Sequence, residues 1–171
     1  MTKKAKCIFL DRDGVLNEEL GYQITELSDF KPVNGIKEAL TRLKKADFLL
    51  VVVTNQSGIA KGHYSEDFVF ACHAILQEAC GHLIDDLYFA PGHETVSQSL
   101  MRKPGSLMFE KAMAKHHIDP KQSWMIGDKE RDILPANQLD IKTILLGSKN
   151  STTKAAHQVQ HLNEAVNLIL R

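Results

Sequence analysis

The chain has 171 residues, 43% of them hydrophobic and 25% charged, which is typical of one globular domain with a sizeable core. Its 21 lysines and arginines balance 21 aspartates and glutamates, and this argues against binding of nucleic acid or anionic membranes through bulk charge. The N-terminal segment is typical of neither a signal peptide nor a membrane span, so we expect a cytoplasmic protein without a membrane partner. The cysteines Cys7, Cys72 and Cys80 have no CxxC spacing and are expected to be reduced.

Short apolar runs alternate with amphipathic stretches in the first half of the chain, as in stacked β-α-β units. In order, we predict a strand at 6–11, a helix at 33–46, a strand at 48–55 and a helix from Glu66 to about Cys80. The run FLLVVVTN at 48–55 has no polar alternation, which is typical of a parallel strand buried on both faces. Ser65 and Gly81 are predicted to bound the second helix.

The second half continues the same alternation. We predict a strand at 85–90, a helix at 104–117, a strand at 123–128, a helix at 129–139, a strand at 141–147 and a helix at 161–170. Pro104 suits the first turn of its helix, whereas Pro135 should kink or end its helix. The segment 148–157 between the last strand and the last helix is polar. The pattern predicts one α/β domain over residues 1–171, with a Rossmann-like parallel sheet and helices on both faces.

Polar residues follow the predicted strands, at the edge where ligands of parallel sheets bind. The first strand leads into Asp11 and Asp13, and the fourth into Gly127 and Asp128, with Asp132 one turn later. The second strand and the loop after the third supply the remaining candidates, which are Thr54, Asn55, Gln56, Ser57, Gly58, Arg102 and Lys103. Each motif alone is compatible with a polar turn or a helix cap, but four of them in order at strand ends favour a single site.

The chemistry of these groups is complementary. Acidic oxygens around one point suit Mg²⁺, and a hydroxyl, a turn of small residues and a lysine suit a phosphate. Together they indicate metal-assisted phosphoryl transfer, in which a carboxylate can itself be the attacking group.

The motifs DxDG, TNQSG, RKP and GDxxxD occur here at 11–14, 54–58, 102–104 and 127–132. In this order they resemble the haloacid dehalogenase-like (HAD) phosphatase superfamily over about residues 6–147. The stretches FLDRDGVLNEELGY, VTNQSGIAKG and MRKPGSLMFEKA are similar to the D-glycero-D-manno-heptose 1,7-bisphosphate phosphatases and to the histidinol-phosphate phosphatases. The resemblance implies a Mg²⁺-dependent phosphatase that forms an aspartyl-phosphate, with the heptose bisphosphate as the favoured small phosphorylated substrate.

The resemblance also implies roles for individual residues. Asp11 is expected to be the nucleophile and a metal ligand, and Asp13 to be the general acid and base, with its carbonyl group on the metal. Thr54 and Asn55 are expected to hold the transferring phosphate, Lys103 to bridge Asp11 and that phosphate, and Asp128 to complete the metal ligands. The place of Asp132 stays open between a water-mediated role at the metal and a contact with Lys129. Expected substrate contacts are Glu19, Gly21, Tyr22, Asn55, Gln56, Ser57 and Arg102, the last pairing with a second phosphate.

The chain departs from both similar families before the RKP motif. Those families commonly carry a zinc loop with a Cys-x-His and a Cys-x-Cys pair, whereas residues 90–104 here contain no cysteine and only His93. Because structural zinc needs about four nitrogen or sulfur ligands, we predict no zinc. Residues 14–32 and 90–103, where the superfamily inserts cap domains, are too short for a cap, so a capless, open site is expected.

Three alternatives remain at this point. The first is histidinol phosphate as substrate, and the second is the 3′-phosphate of a polynucleotide, which the zero net charge disfavours. The third is a catalytically idle scaffold domain, which the complete catalytic set disfavours. His63 is compatible with a substrate contact or with a surface loop. We expect a monomer or a small homo-oligomer.

Overall fold

The computed structural model describes residues 4–148 and 152–171. In this part of the chain six parallel strands form one sheet in the order β3-β2-β1-β4-β5-β6. The strands are β1 Lys6–Leu10, β2 Phe48–Asn55, β3 Asp86–Ala90, β4 Trp124–Gly127, β5 Lys142–Leu146 and β6 His157–Val159. The predicted parallel α/β sheet is therefore confirmed.

Within residues 4–148 and 152–171, five α-helices cover the two faces of the sheet. They are α1 Ile36–Lys45, α2 Glu66–Cys80, α3 Leu107–His116, α4 Glu130–Gln138 and α5 Leu162–Ile169, and one-turn 3-10 helices lie at Leu27–Asp29 and Pro120–Gln122. Alternate residues of β1 point to opposite faces. Ile8 and Leu10 join the core under α1, α2 and α5, whereas Phe9 joins the core under α3 and α4. This is the three-layer arrangement expected from the sequence.

The order of the strands places a crevice beside β1. The chain runs from β1 to β2 and β3 on one side of the sheet and then returns to β4 on the other side of β1. The backbone N–H of Asp11 donates to the carbonyl of Ile126 at 3.0 Å, which fastens the end of β1 to β4. Ligands of open parallel sheets bind at such a switch point, so the fold predicts a ligand site at the carboxyl end of β1, next to Asp11.

Several predicted boundaries differ from the observed ones. The helix α2 is bounded by Ser65 and by Gly81, whose φ of 78° suits glycine, as predicted. Pro104 is not in the first turn of a helix, because residues 100–106 form turns and α3 begins only at Leu107. Pro135 does not end α4, which continues to Gln138 with the proline buried against the core.

The strand β6 was not predicted. It has three residues at the edge of the sheet, none of them fully buried, so no apolar run marks it in the sequence. Its first residue, His157, was assigned to the polar segment 148–157, of which residues 149–151 lie outside the described part.

The described residues contain no helix that is long and apolar enough to cross a bilayer. The three cysteines are buried and form no disulfide. Residues 14–32 hold only the 3-10 helix Leu27–Asp29, and residues 91–103 hold neither helix nor strand. No inserted domain therefore covers the carboxyl edge of the sheet from either segment.

Candidate active site

A buried lysine joins two carboxylates at the carboxyl edge of the sheet. Lys103 is 1% exposed, and its Nζ lies 3.0 Å from Asp11 Oδ1 and 2.6 Å from Asp132 Oδ1. The same ammonium donates to the carbonyl of Val53 at 2.7 Å. A buried ammonium is stable only when such partners replace its water. Three of the four sequence motifs therefore meet at this one nitrogen atom.

Asn55 fixes the backbone of Lys103. Its Nδ2 donates to the Lys103 carbonyl and its Oδ1 accepts from the Lys103 N–H, both at 2.9 Å. This reciprocal amide pair attaches the loop 91–106 to the end of β2. Asn55 also lines the cavity described below, and the substrate contact predicted for it stays a prediction.

Three carboxylates form a cluster at the crevice. One oxygen from each of Asp11, Asp128 and Asp132 lies within 4.8 Å of the others. Asp128 Oδ1 is buried without a hydrogen-bond partner among the described residues, a costly arrangement unless something else satisfies it. A hard divalent cation fits this oxygen-only donor set and the unsatisfied atom.

Asp132 is held differently from the other two acids. Its Oδ2 accepts the backbone N–H groups of Asp128 and Lys129, at 3.2 and 3.1 Å, and its Oδ1 faces Lys103. Its Oδ2 is therefore occupied at the start of α4, whereas its Oδ1 forms an ion pair with Lys103 and, like Asp128 Oδ1, has no hydrogen-bond partner among the described residues. Because that oxygen already faces the Lys103 ammonium, Asp11 and Asp128 are the better candidates for cation ligands in the cluster.

The cluster shifts the pKa values of its members. Burial raises the pKa of Asp11 to about 7; Lys103 opposes this rise, and the neighbouring carboxylates add to it. Burial also raises the pKa of Asp128. For Lys103 burial lowers the pKa, but Asp11 and Asp132 outweigh it, so the net shift is upward. Carboxylates that are costly to ionise without a counter-charge favour the binding of a cation.

Asp13 lies beside this cluster in a network of its own. Its side chain is 34% exposed and accepts from Arg12, from Nε at 3.0 Å and from Nη2 at 3.1 Å. Gln56 Nε2 donates to Asp13 Oδ2 at 3.0 Å and to Thr54 Oγ1 at 2.8 Å. Thr54 thus accepts through its oxygen, and among the described residues its hydroxyl hydrogen has no acceptor, so it is available to a ligand.

A cavity of about 440 Å³ opens beside Asp13. Of the predicted substrate contacts, six line it: Glu19, Gly21, Tyr22, Asn55, Gln56 and Ser57. Arg102 is not among the lining residues, and its Nη1 lies 3.4 Å from the Gly92 carbonyl. Lys129 and Arg131 line the cavity instead. The sequence suggested Lys129 only as a partner of Asp132 and did not suggest Arg131, whose one signal was its position between the acids of GDxxxD.

The loop 91–103 is ordered by hydrogen bonds. His93 Nδ1 and Thr95 Oγ1 lie 2.7 Å apart, and the His93 carbonyl accepts the N–H groups of Val96 and Ser97. The Arg102 contact with Gly92 and the Asn55 pair complete these attachments. The absence of zinc stays a prediction. His63, left open by the sequence, contacts the side chain of Gln23 on the surface and does not line the cavity.

Known proteins resemble this chain in sequence and in structure. Residues 100–168 match the family model described as HAD-hydrolase-like. A Haemophilus ducreyi protein is 39% identical over 150 residues, with 82% of each chain covered. A Pasteurella multocida protein is 37% identical over 171 residues, covering 94% of this chain and 92% of its own. Both are named D-glycero-beta-D-manno-heptose-1,7-bisphosphate 7-phosphatase.

Two solved structures share the fold. One is the D,D-heptose 1,7-bisphosphate phosphatase of B. bronchiseptica complexed with magnesium and phosphate, with a TM-score of 0.87, 24% identity and coverage of 96% of this chain and 98% of that one. The other is a HAD-like phosphatase of Mesorhizobium loti, with a TM-score of 0.85, 23% identity and coverage of 98% and 87%.

Proposed function

Because the chain belongs to the family of the D-glycero-D-manno-heptose-1,7-bisphosphate 7-phosphatases, we propose that it removes the 7-phosphate of this sugar bisphosphate through an aspartyl-phosphate on Asp11. The HAD-hydrolase-like match and the named relatives make the chain a phosphatase. The observation that supports the catalytic assignment best is the contact of buried Asp11 with Lys103 Nζ at 3.0 Å inside the carboxylate cluster.

The proposed reaction uses the two acids of the DxDG motif in turn. An Asp11 oxygen attacks phosphorus, the bond from phosphorus to the sugar oxygen breaks, and that oxygen takes a proton from Asp13. Water then attacks the phosphorus of the aspartyl-phosphate and gives a proton to Asp13. The bond from phosphorus to the Asp11 oxygen breaks in this step, so that inorganic phosphate is released and the Asp11 carboxylate is restored. The Thr54 hydroxyl binds an oxygen of the transferring phosphate. Lys103 does the same by exchanging one of its three partners, Asp11, Asp132 and the Val53 carbonyl, because its ammonium has only three N–H donors.

We assign the metal site to Asp11, Asp128 and the backbone carbonyl of Asp13, with Mg²⁺ as the ion. The unpartnered, buried Asp128 Oδ1 supports this assignment, as does the magnesium in the similar B. bronchiseptica structure. A bound Mg²⁺ supplies positive charge that offsets the charge of the phosphate and of the nucleophile.

The second phosphate of the substrate needs positively charged side chains that lie at some distance from the phosphate that reacts. Lys129 and Arg131 line the cavity beside Asp13. Lys129 Nζ also lies 2.8 Å from Asp128 Oδ2, so Arg131 is the better candidate for such charge. Arg102, suggested by the sequence for this role, rests against Gly92 and would have to leave that contact to reach the cavity. We propose a small sugar bisphosphate in this cavity, acted on in the cytoplasm.

The test compares kcat/KM for heptose 1,7-bisphosphate, histidinol phosphate and a 3′-phosphorylated oligonucleotide, with Mg²⁺ and with EDTA. We expect the heptose bisphosphate to be preferred by about a thousandfold, equal to about 4 kcal/mol in the barrier, and EDTA to abolish turnover. A preference for either other substrate would overturn the substrate assignment.

The variant Asp11→Asn tests the nucleophile. We expect no turnover, because an amide cannot replace the attacking carboxylate, and we expect retention of the fold by circular dichroism. The matched control is Asp140→Asn, at an exposed turn whose φ of 60° an asparagine accepts. Substantial turnover in Asp11→Asn would show that another group attacks phosphorus.

A further inference from the structure

We propose that Gln56 is a positioning residue for Asp13, which it holds in place together with Arg12 and Tyr64, and that it does not bind the substrate through its side-chain amide. The inference rests on the proposed function, since it concerns the residue that protonates the leaving group. It replaces the substrate contact that the sequence suggested for this position.

The side-chain amide of Gln56 is fully occupied. Its Nε2 donates to Asp13 Oδ2 at 3.0 Å and to Thr54 Oγ1 at 2.8 Å. Its Oε1 accepts from Arg12 Nη2 at 3.0 Å and from the Tyr64 hydroxyl at 2.7 Å. An amide has two N–H donors and two acceptor lone pairs, so these four bonds use its capacity. Gln56 is 1% exposed, and no hydrogen-bonding group of its side chain remains for a sugar or a phosphate.

The chemistry of the neighbours fixes the direction of the amide. Arg12 can only donate, so the group that faces it must be the Gln56 oxygen. The Gln56 nitrogen then faces Asp13 and the Thr54 oxygen, which accept. A reversed amide would bring donor against donor at Arg12 and acceptor against acceptor at Asp13. The guanidinium is itself held by its two contacts with Asp13 and by the Phe30 ring, whose centroid lies 5.2 Å from Arg12 Cζ.

Gly58 makes room for the Tyr64 side of this network. A Cβ atom at position 58 would lie 2.2 Å from Tyr64 Cε1, a distance that an aromatic ring cannot accept without moving. The glycine of the TNQSG motif therefore lets the Tyr64 ring approach closely enough for its hydroxyl to reach Gln56 at 2.7 Å. This gives a structural reason for a motif residue that has no part in the chemistry itself.

Through Gln56, Thr54 and Asp13 are kept in one arrangement. In the proposed reaction Thr54 holds the transferring phosphate and Asp13 serves the oxygen that leaves it, so their separation decides whether the proton reaches that oxygen. Loss of the Gln56 contacts should therefore weaken protonation of the leaving group more than it weakens the attack on phosphorus.

The experiment measures kcat/KM for phosphate monoesters whose leaving groups range from nitrophenol to simple alcohols and the heptose. This ratio covers the steps up to departure of the leaving group, and nitrophenolate leaves without help from an acid. For Gln56→Met we expect a loss of about a hundredfold on alkyl and sugar esters, within the usual contribution of a general acid. We expect little change on the nitrophenyl ester. Asp13→Asn should show the same pattern more strongly, and Tyr64→Phe the same pattern more weakly.

The control is Gln77→Met, which removes another buried glutamine amide, one that bonds the Ile84 backbone far from the site. In this variant the dependence of kcat/KM on the leaving group should be the same as in the wild-type protein. An equal loss of kcat/KM on all esters in Gln56→Met, or a rise in KM confined to the heptose bisphosphate, would overturn the inference. Should that variant not fold, an unchanged dependence in Tyr64→Phe would overturn it.

The substrate assignment is tested separately. If the wild-type protein hydrolyses simple alkyl and aryl phosphates but not the heptose bisphosphate, the proposed substrate is wrong, and the comparison of leaving groups still decides the role of Gln56. If the wild-type protein hydrolyses no phosphate monoester, both proposals fail.

Discussion

Gly127 is the last residue of β4, and its lack of a side chain leaves the space that Asp132 occupies. A Cβ atom at this position would lie 2.4 Å from the Cβ of Asp132 and 2.6 Å from its Oδ2. Asp132 in turn contacts Lys103 and the backbone of Asp128. One missing methyl group therefore allows the contacts that position Lys103 and the backbone of Asp128.

We expect Gly127→Ala to displace Asp132 and to lower the free energy of unfolding by about 1–3 kcal/mol, as overpacking does in other cores. Phosphatase activity should fall with it, because Lys103 loses one of its two carboxylate partners. Urea unfolding and phosphate release measure the two effects. The matched control is Gly92→Ala, where the nearest atom to an added Cβ lies at 3.6 Å. Equal stability of the two alanine variants would contradict the argument.

At the scale of elements, β3 and α3 are joined by a cluster of charges around Asp86. Its Oδ2 lies 2.8 Å from Lys115 Nζ and 2.7 Å from His116 Nε2, both at the end of α3. Burial raises the pKa of Asp86, but hydrogen bonds from these two side chains and from the Leu87 N–H outweigh it, so that the pKa falls to about 2. The ionised form is thus the one that the folded state prefers.

The sign of the pH dependence follows from that preference. Because the pKa of Asp86 is lower in the folded than in the unfolded chain, its contribution to stability is present above about pH 4 and is lost as the pH falls towards 2. Asp86→Asn should cost about 1 kcal/mol at neutral pH, in the range of partly exposed ion pairs.

Urea unfolding of Asp86→Asn and of the wild-type protein, compared from neutral pH to about pH 2.5, measures this contribution. The difference between the two proteins should shrink at the acid end, and Asp140→Asn should show no such trend. A difference that stays constant over the whole range would show that the Asp86 carboxylate is not the stabilising group.

Over the whole molecule, the two sides of the sheet contribute different parts of the site. Asp11 follows β1, and Thr54 lies near the end of β2. The chain then returns to β4 on the other side of β1, which brings Asp128 beside Asp11. Burial raises the pKa values of Asp11 and Asp128 in the resulting carboxylate cluster, so ionising these groups in the folded chain costs free energy. A cation that binds the folded chain and not the unfolded chain is expected to stabilise the whole fold.

We expect Mg²⁺ at about a hundred times its dissociation constant to raise the free energy of unfolding by about 2.7 kcal/mol. For a chain of this size that corresponds to a rise in Tm of roughly 5–10 °C. Thermal unfolding with Mg²⁺ and with EDTA measures it without reference to activity. Asp128→Asn should lose most of the rise and Asp140→Asn should retain it. The same rise in both variants would place the ion elsewhere.

The sequence alone determined the order of the long elements, the strand ends that carry Asp11, Thr54 and Asp128, and the loop after β3 that carries Lys103. The reason is that hydrophobic periodicity and the ends of apolar runs are local properties of a chain. Its errors were local as well. Pro104 was assigned to the first turn of a helix by propensity, but α3 begins only at Leu107. Of the two outcomes predicted for Pro135, the end of its helix is wrong, because α4 continues to Gln138, and the kink stays a prediction. The short edge strand β6 has no apolar run to mark it.

The tertiary structure decided which partner each polar side chain takes. Gln56 accepts a hydrogen bond from Arg12, which lies 44 residues away along the chain, and Lys103 donates to the carbonyl of Val53, which lies 50 residues away. Arg102 turns to Gly92, while Arg131 lines the cavity. A residue type limits whether a group donates or accepts, but the distance between remote segments selects the partner, and that distance exists only once the sheet and its two layers of helices have packed.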